Sequence, residues 1–185
     1  DEVIQEYKTV LTLDPNDADT HNNLGTVYQR LGRQDEAIQE YKAALTLKPD
    51  DATGHYNMGL VYLDQGRLSE ALTAFQAVVK LKPGFFNTYN ILGVVYQKLG
   101  RLDEAIQEYK TALRLKPDSV GIHNNLGNVY KDLGRLEEAI QEFQIVLKLK
   151  PDHVEAHYSL GQTYQRMGRI QEAIYEFEQA LQIKP

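Results

Sequence analysis

Residues 18–51 read ADTHNNLGTVYQRLGRQDEAIQEYKAALTLKPDD, and the same sentence returns at residues 86–119 as FNTYNILGVVYQKLGRLDEAIQEYKTALRLKPDS. The two stretches agree at 24 of 34 places. Every proline of the chain obeys the same period: Pro15, Pro49, Pro83, Pro117, Pro151 and Pro185. Glycine repeats in two registers, Gly25, Gly59, Gly93, Gly127 and Gly161, then Gly32, Gly66, Gly100, Gly134 and Gly168. Self-similarity at a period of 20 to 50 residues is the mark of a stacked array. A chain of 185 residues is therefore a series of copies of one unit, not one or two globular domains.

Within the unit the apolar residues have helical period. Leu24, Val27, Tyr28 and Leu31 fall at spacings of three and four and share one face, which predicts a helix from about Asp19 to Leu31. Gly32 follows where a left-handed residue closes the last turn most easily. A second helix is predicted from near Asp35, with Asp35 and Glu36 in its first turn and Lys48 in its last, as the helix dipole favours. Its core face is Ala37, Ile38, Tyr41, Ala44, Leu45 and Leu47, and Pro49 prevents continuation. Gly25 and its equivalents stand in the middle of the first helix, where glycine costs about 1 kcal/mol relative to alanine. The recurring small residues Ala37, Ala71, Ala105, Ala139 and Ala173 suggest that each glycine faces an alanine across a close helix contact, with the aromatic residues filling the space beside it.

Composition removes most chemistry. There is no cysteine, so no disulfide, thiolate metal site or cysteine nucleophile exists. Twenty basic against 26 acidic side chains give a formal charge of −6, the wrong sign for a dedicated nucleic-acid binder. No apolar run approaches membrane-spanning length, and residues 1–6 carry no signal-peptide pattern, so a cytoplasmic location without membrane contact is expected. The three serines, Ser69, Ser119 and Ser159, occupy no nucleophile motif, and no glycine-rich phosphate loop is present. His153 and His157, four apart with Glu155 between them, are a candidate metal pair, but His153 falls in the loop between units, so no metal and no cofactor is expected. Arg33, Arg67, Arg101, Arg135 and Arg169 form a ladder, each followed by Glu36, Glu70, Glu104, Glu138 or Glu172, which reads as local ion pairs.

The order Leu24-Gly25, Tyr28, Ala37, Tyr41, Ala44, Pro49 resembles the tetratricopeptide repeat, whose signature is W-x2-L-G-x2-Y, then A-x3-F, then P. The family's tryptophan is replaced by His21, His55, Tyr89, His123 and His157. The resemblance implies an all-α, right-handed superhelical solenoid of antiparallel helix hairpins. It divides the chain into the second helix of a truncated repeat at 1–17 and repeats at 18–51, 52–85, 86–119, 120–153 and 154–185. Neither terminal helix has the polar outer face of a cap, which predicts a fragment of a longer array and self-association through those helices.

In such a family the first helix of each hairpin lines a concave groove that binds protein segments. Carried over, the groove residues would be Asn22, Asn23, Tyr56, Asn57, Leu60, Leu63, Asn90, Ile91, Val94, Asn124, Asn125, Asn128, Tyr158 and Gln162. Asparagine both donates and accepts, so a row of them can pair with the backbone of any extended peptide. Asn23, Asn57 and Asn125 resemble the asparagine ladder of the O-linked N-acetylglucosamine transferase repeat arm, with Ile91 and Ser159 interrupting it. Tyr56, Leu60, Leu63, Ile91 and Val94 make an apolar set for a hydrophobic anchor. Phe85, where other copies have Asp, Ser or His, is either an aromatic anchor or packs locally against Phe86. The Lys, Arg and Asn places of a chaperone-tail carboxylate clamp are filled mainly by Asn, Tyr, Thr and Leu, against that partner. The expected function is a non-catalytic scaffold or adaptor for a protein or peptide partner. The alternative is the substrate-recognition arm of a larger enzyme such as an O-linked glycosyltransferase, and a consensus-like engineered array is a third reading.

Overall fold

The computed structural model describes residues 2–184; Asp1, the first residue of the truncated repeat, and Pro185, the last of the six periodic prolines, lie outside them. Among the described residues there are eleven α-helices and no strand: α1 (Glu2–Leu13), α2 (Ala18–Arg30), α3 (Gln34–Leu47), α4 (Ala52–Asp64), α5 (Leu68–Leu81), α6 (Phe86–Lys98), α7 (Leu102–Leu115), α8 (Val120–Asp132), α9 (Leu136–Leu149), α10 (Val154–Arg166) and α11 (Ile170–Ile183). The chain forms two compact units, one up to Thr88 and one from Tyr89. In the first, α2 pairs with α3 and α4 with α5, and α1 packs on α2; in the second, α8 pairs with α9 and α10 with α11, and α7 packs on α8.

Local chemistry sets the helix ends. The Asp17 carboxylate accepts from the Asp19 and Thr20 amides at 3.0 and 3.2 Å and starts α2; Asp51 does the same for α4 through the Thr53 amide. At the other end of α2, Gly32 has φ +73, its amide donates to the Gln29 carbonyl at 3.0 Å, and the Arg33 amide donates to the Tyr28 carbonyl at 2.9 Å. This double bond pattern satisfies two carbonyls that the helix leaves open, and it needs the left-handed residue that glycine supplies without steric cost. The equivalent Gly66, Gly100, Gly134 and Gly168 have φ between 71 and 74.

The core is aromatic and alanine. Tyr41, Phe75, Tyr109 and Phe143, one each from α3, α5, α7 and α9, are fully buried, and Ala37, Ala71, Ala105 and Ala139 beside them are equally inaccessible. The glycines of the first helices face those rings, not the alanines. A Cβ on Gly25 would lie 2.8 Å from Tyr41 Cε1, and one on Gly59, Gly127 or Gly161 would lie 2.7–2.9 Å from the ring of Phe75, Phe143 or Phe177. The ring, a helical turn beyond the alanine on the same face, is the group that lies against bare backbone. Two apolar assignments also change. Leu31 is the C-cap residue of α2 and more than half exposed, and Leu47, in the last turn of α3, is exposed as well, because the core face has rotated away from the helix ends. On α11, Ile170, Ile174, Tyr175, Leu181 and Ile183 are exposed, as are Val3, Val10 and Leu13 of α1.

Candidate peptide-binding faces

The first helices α2, α4, α6, α8 and α10 carry the sequence-derived groove residues, and the structure divides these residues by what they touch. In the first unit, Asn22 Nδ2 donates to Asp51 Oδ2, the carboxylate that caps the next first helix, while its Oδ1 is buried without a hydrogen-bond partner. In the second unit Asn124, itself buried, donates to Glu155 Oε1 at 3.1 Å in the first turn of α10, again with Oδ1 unpartnered. These two asparagines tie neighbouring first helices together. Asn23 is exposed, and Asn57, Leu60 and Leu63 are half-buried on α4. Asn90, Ile91 and Val94 of α6 are half-buried in the second unit. Asn125 Nδ2 donates to Asn90 Oδ1 at 3.3 Å, joining α8 to α6. Asn128 Oδ1 accepts from Ser159 at 3.4 Å, and Gln162 Oε1 accepts from Lys131 Nζ at 3.0 Å; burial holds the Lys131 ammonium below the usual lysine range. Tyr158 is 52% exposed, its ring 5.6 Å from that of Phe177.

Phe85 stands on Tyr56 of α4, ring centroids 5.6 Å apart, and Tyr56 in turn meets Phe75 edge-on at 5.7 Å. Burial pushes the Tyr56 phenol up. With Ala52, Thr53, Val78, Lys82 and Gly84 the two rings line a cavity of about 470 Å³ in the first unit. Three repeats later Val154, Tyr158, Ala180 and Lys184, the equivalents of Ala52, Tyr56, Val78 and Lys82, line one of about 400 Å³ in the second together with Phe177 and Leu181.

Two repeated devices lie outside the groove residues. Each ladder arginine pairs with its glutamate, Arg67 with Glu70 at 2.8 Å and Arg101 with Glu104 at 2.7 Å, and the guanidinium also lies 4.5–4.7 Å over the ring of Tyr28, Tyr62, Tyr96, Tyr130 or Tyr164. The ion pairs were legible from the Arg and Glu spacing; the stacking was not, although the tyrosine stands five residues before each arginine. The histidines at the family's tryptophan place are clamps. His21, His123 and His157 each set Nδ1 2.6 Å from the carboxylate of Glu40, Glu142 or Glu176, and Nε2 2.8–3.2 Å from the carbonyl of Pro15, Pro117 or Pro151. A histidine with a glutamate nineteen residues later, three times over, was the available signal. His153 is engaged elsewhere: its Nδ1 accepts from the Ala156 amide at 3.1 Å and caps α10. Among the described residues no group of three metal-ligating side chains is assembled, and no helix is long and apolar enough to cross a membrane.

Comparison with known proteins agrees with this architecture. The family described as TPR repeat matches residues 1–32, 30–66, 59–100, 98–134 and 127–168, and the one described as tetratricopeptide repeat matches 154–185. No curated protein sequence matches the chain. Among solved structures, the crystal structure of YrrB, a TPR protein with an unusual peptide-binding site, superposes with a TM-score of 0.84 at 24% identity, covering 97% of this chain and 92% of that one. A crystal structure of MamA superposes at 0.87 with 26% identity over 90% and 91% of the two chains. MamA from Desulfovibrio magneticus RS-1 gives 0.86 at 24% identity over 90% and 94%. A 34-residue period, first helices each closed by a left-handed glycine, an aromatic ring against each mid-helix glycine and family matches along the whole chain lead to one assignment: the chain belongs to the tetratricopeptide repeat family.

Proposed function

We propose that the chain is a non-catalytic scaffold that holds extended polypeptide segments on the faces of its first helices. The observation that carries this reading is the Asn125–Asn90 amide pair, which joins successive first helices and leaves one amide group of each residue for a ligand. Packed helices stand about 8–10 Å apart, and an extended chain rises about 3.3 Å per residue. Amides spaced by one repeat therefore meet a peptide backbone at roughly every third residue, whatever its side chains. Asn23 and Asn57, one repeat apart, are the first unit's equivalents of Asn125; Asn128, Tyr158 and Gln162 extend the set in the second. Half-buried Leu60 and Leu63 beside Tyr56, and Ile91 with Val94, add apolar contacts that select side chains. Peptide binding by YrrB, a structural neighbour, supports the same reading.

Binders selected from a random dodecapeptide library test it. Replacing Asn90 and Asn125 together by alanine is expected to weaken the selected peptides about thirtyfold in fluorescence anisotropy, since two peptide hydrogen bonds at about 1 kcal/mol each are lost. Replacement of exposed Gln107 on α7 should leave the affinity unchanged. Equal affinities for all three proteins would refute the first-helix assignment.

A further inference from the structure

The second hairpin lacks a part that other hairpins have. In α3, α9 and α11 a glutamate, Glu40, Glu142 or Glu176, sets its carboxylate 2.6 Å from the histidine of the preceding helix. In α5 the equivalent residue is Ala74, yet its histidine, His55, is retained. His55 Nε2 is 2.9 Å from the Pro49 carbonyl, as in the other clamps. Where the glutamate would stand there is a cavity of about 380 Å³, lined by His55, Met58, Tyr62, Thr73 and Ala74 together with Ser69, Glu70 and Ala77. Three of these residues are local departures from the repeat. Ala74 replaces glutamate, Thr73 stands where other copies have Gln39, Gln107, Gln141 or Tyr175, and Met58 replaces a leucine that is buried as Leu24, Leu92, Leu126 and Leu160. Met58 itself is left half-buried.

We propose that this cavity, between α4 and α5, is a second binding site, distinct from the asparagine-bearing groove, that takes a glutamate side chain of a partner polypeptide in the place of the missing internal glutamate. The pairs elsewhere in the chain show what the site recognises: a carboxylate on a short apolar stem, the carboxylate on Nδ1 and the stem against the alanine, methionine and tyrosine. A carbonyl can only accept, so Nε2 carries a proton against Pro49. The Nδ1 atom then donates to a carboxylate only in the imidazolium form, which a bound carboxylate favours. Glu70, which also lines the cavity, does not compete for Nδ1, because its carboxylate is committed to Arg67 at 2.8 Å; hydrogen bonding to Arg67, together with the charges of Arg67 and of nearby Lys42, holds it below the usual carboxylate range.

The probe is N-acetylglutamate N-methylamide, with the glutamine analogue as control, titrated at pH 6 into the 15N-labelled protein while the His55 ring nitrogens are followed by NMR. The glutamate probe is expected to move the Nδ1 resonance saturably and to bind about tenfold more tightly than the glutamine analogue, as a charge-assisted hydrogen bond requires. Affinity should fall on going to pH 8. His55→Gln should abolish binding. Ala74→Glu should abolish it too, by filling the cavity from within, and should melt no lower than wild type. Equal binding of the two probes, an unmoved His55 ring in the wild type, or undiminished binding to either variant would overturn the proposal.

Discussion

A side-chain carbon on Gly93 would lie 2.5 Å from Cε1 of Tyr109, a ring that is wholly inaccessible to solvent. Alanine at a helix interior ordinarily gains about 1 kcal/mol over glycine. Here the ring is fully buried, and overpacking of a filled core costs about 1–3 kcal/mol. Gly93→Ala should therefore lower the melting temperature by several degrees in calorimetry. Combined with Tyr109→Leu, which removes the opposing ring edge, the loss should be clearly less than additive.

The Phe85 and Tyr56 rings, 5.6 Å apart, fasten the loop after α5 onto α4. Such pairs contribute about 0.5–1.5 kcal/mol beyond their area. A double-mutant cycle with Phe85→Ala and Tyr56→Ala, followed by denaturant unfolding, should return a coupling energy in that range. Zero coupling would mean that the two rings are neighbours without a shared contribution to stability.

Arg101 holds two partners at once, Glu104 at 2.7 Å and the Tyr96 ring at 4.7 Å. Lysine preserves the charge but not the planar stack. Arg101→Lys is expected to destabilise more than Glu104→Gln, and both less than Gly93→Ala. High salt should shrink the Glu104→Gln effect and leave most of the Arg101→Lys effect, because the ion pair is screened and the stack is not.

His123 carries a pH dependence whose sign is set by its surroundings. Burial alone would depress its pKa, but hydrogen bonds to the Glu142 carboxylate and the Pro117 carbonyl, with the Glu142 charge, outweigh burial and hold it above the ordinary histidine value. The folded state thus binds the proton more tightly than the unfolded one, whose value is about 6.5. The stabilisation is complete below that pH and is lost as pH rises through the folded value. Thermal melts from pH 5.5 to 8.5 should show wild type losing more stability than His123→Gln across this window.

The helices were legible in the residues because their signals are local. Pro49, Gly32, Asp35 and Glu36 act on the turn they occupy, and the period of three and four marks a face without reference to any neighbour. The ion pairs of Arg33 and its equivalents were legible for the same reason, being three residues apart on one turn. The groove residues were less so. Asn22 and Asn23 are adjacent and alike in chemistry, yet one is bonded to the Asp51 cap of the next repeat and the other is exposed to solvent. Nothing within α2 distinguishes them; the position of α4 does.

The amino-acid sequence by itself determined the 34-residue period, the hairpin architecture, the left-handed turn at Gly32 and the absence of cysteine chemistry, all consequences of backbone sterics and helical spacing. Only the tertiary structure decided that Gly25 makes room for Tyr41 and not Ala37, that Asn124 is buried in a bond to Glu155, and that His55 keeps its carbonyl partner but faces a cavity instead of a carboxylate. Periodicity specifies which face of a helix turns inward. It leaves open which atom of another helix arrives opposite, because that depends on packing between segments sixteen to thirty-one residues apart.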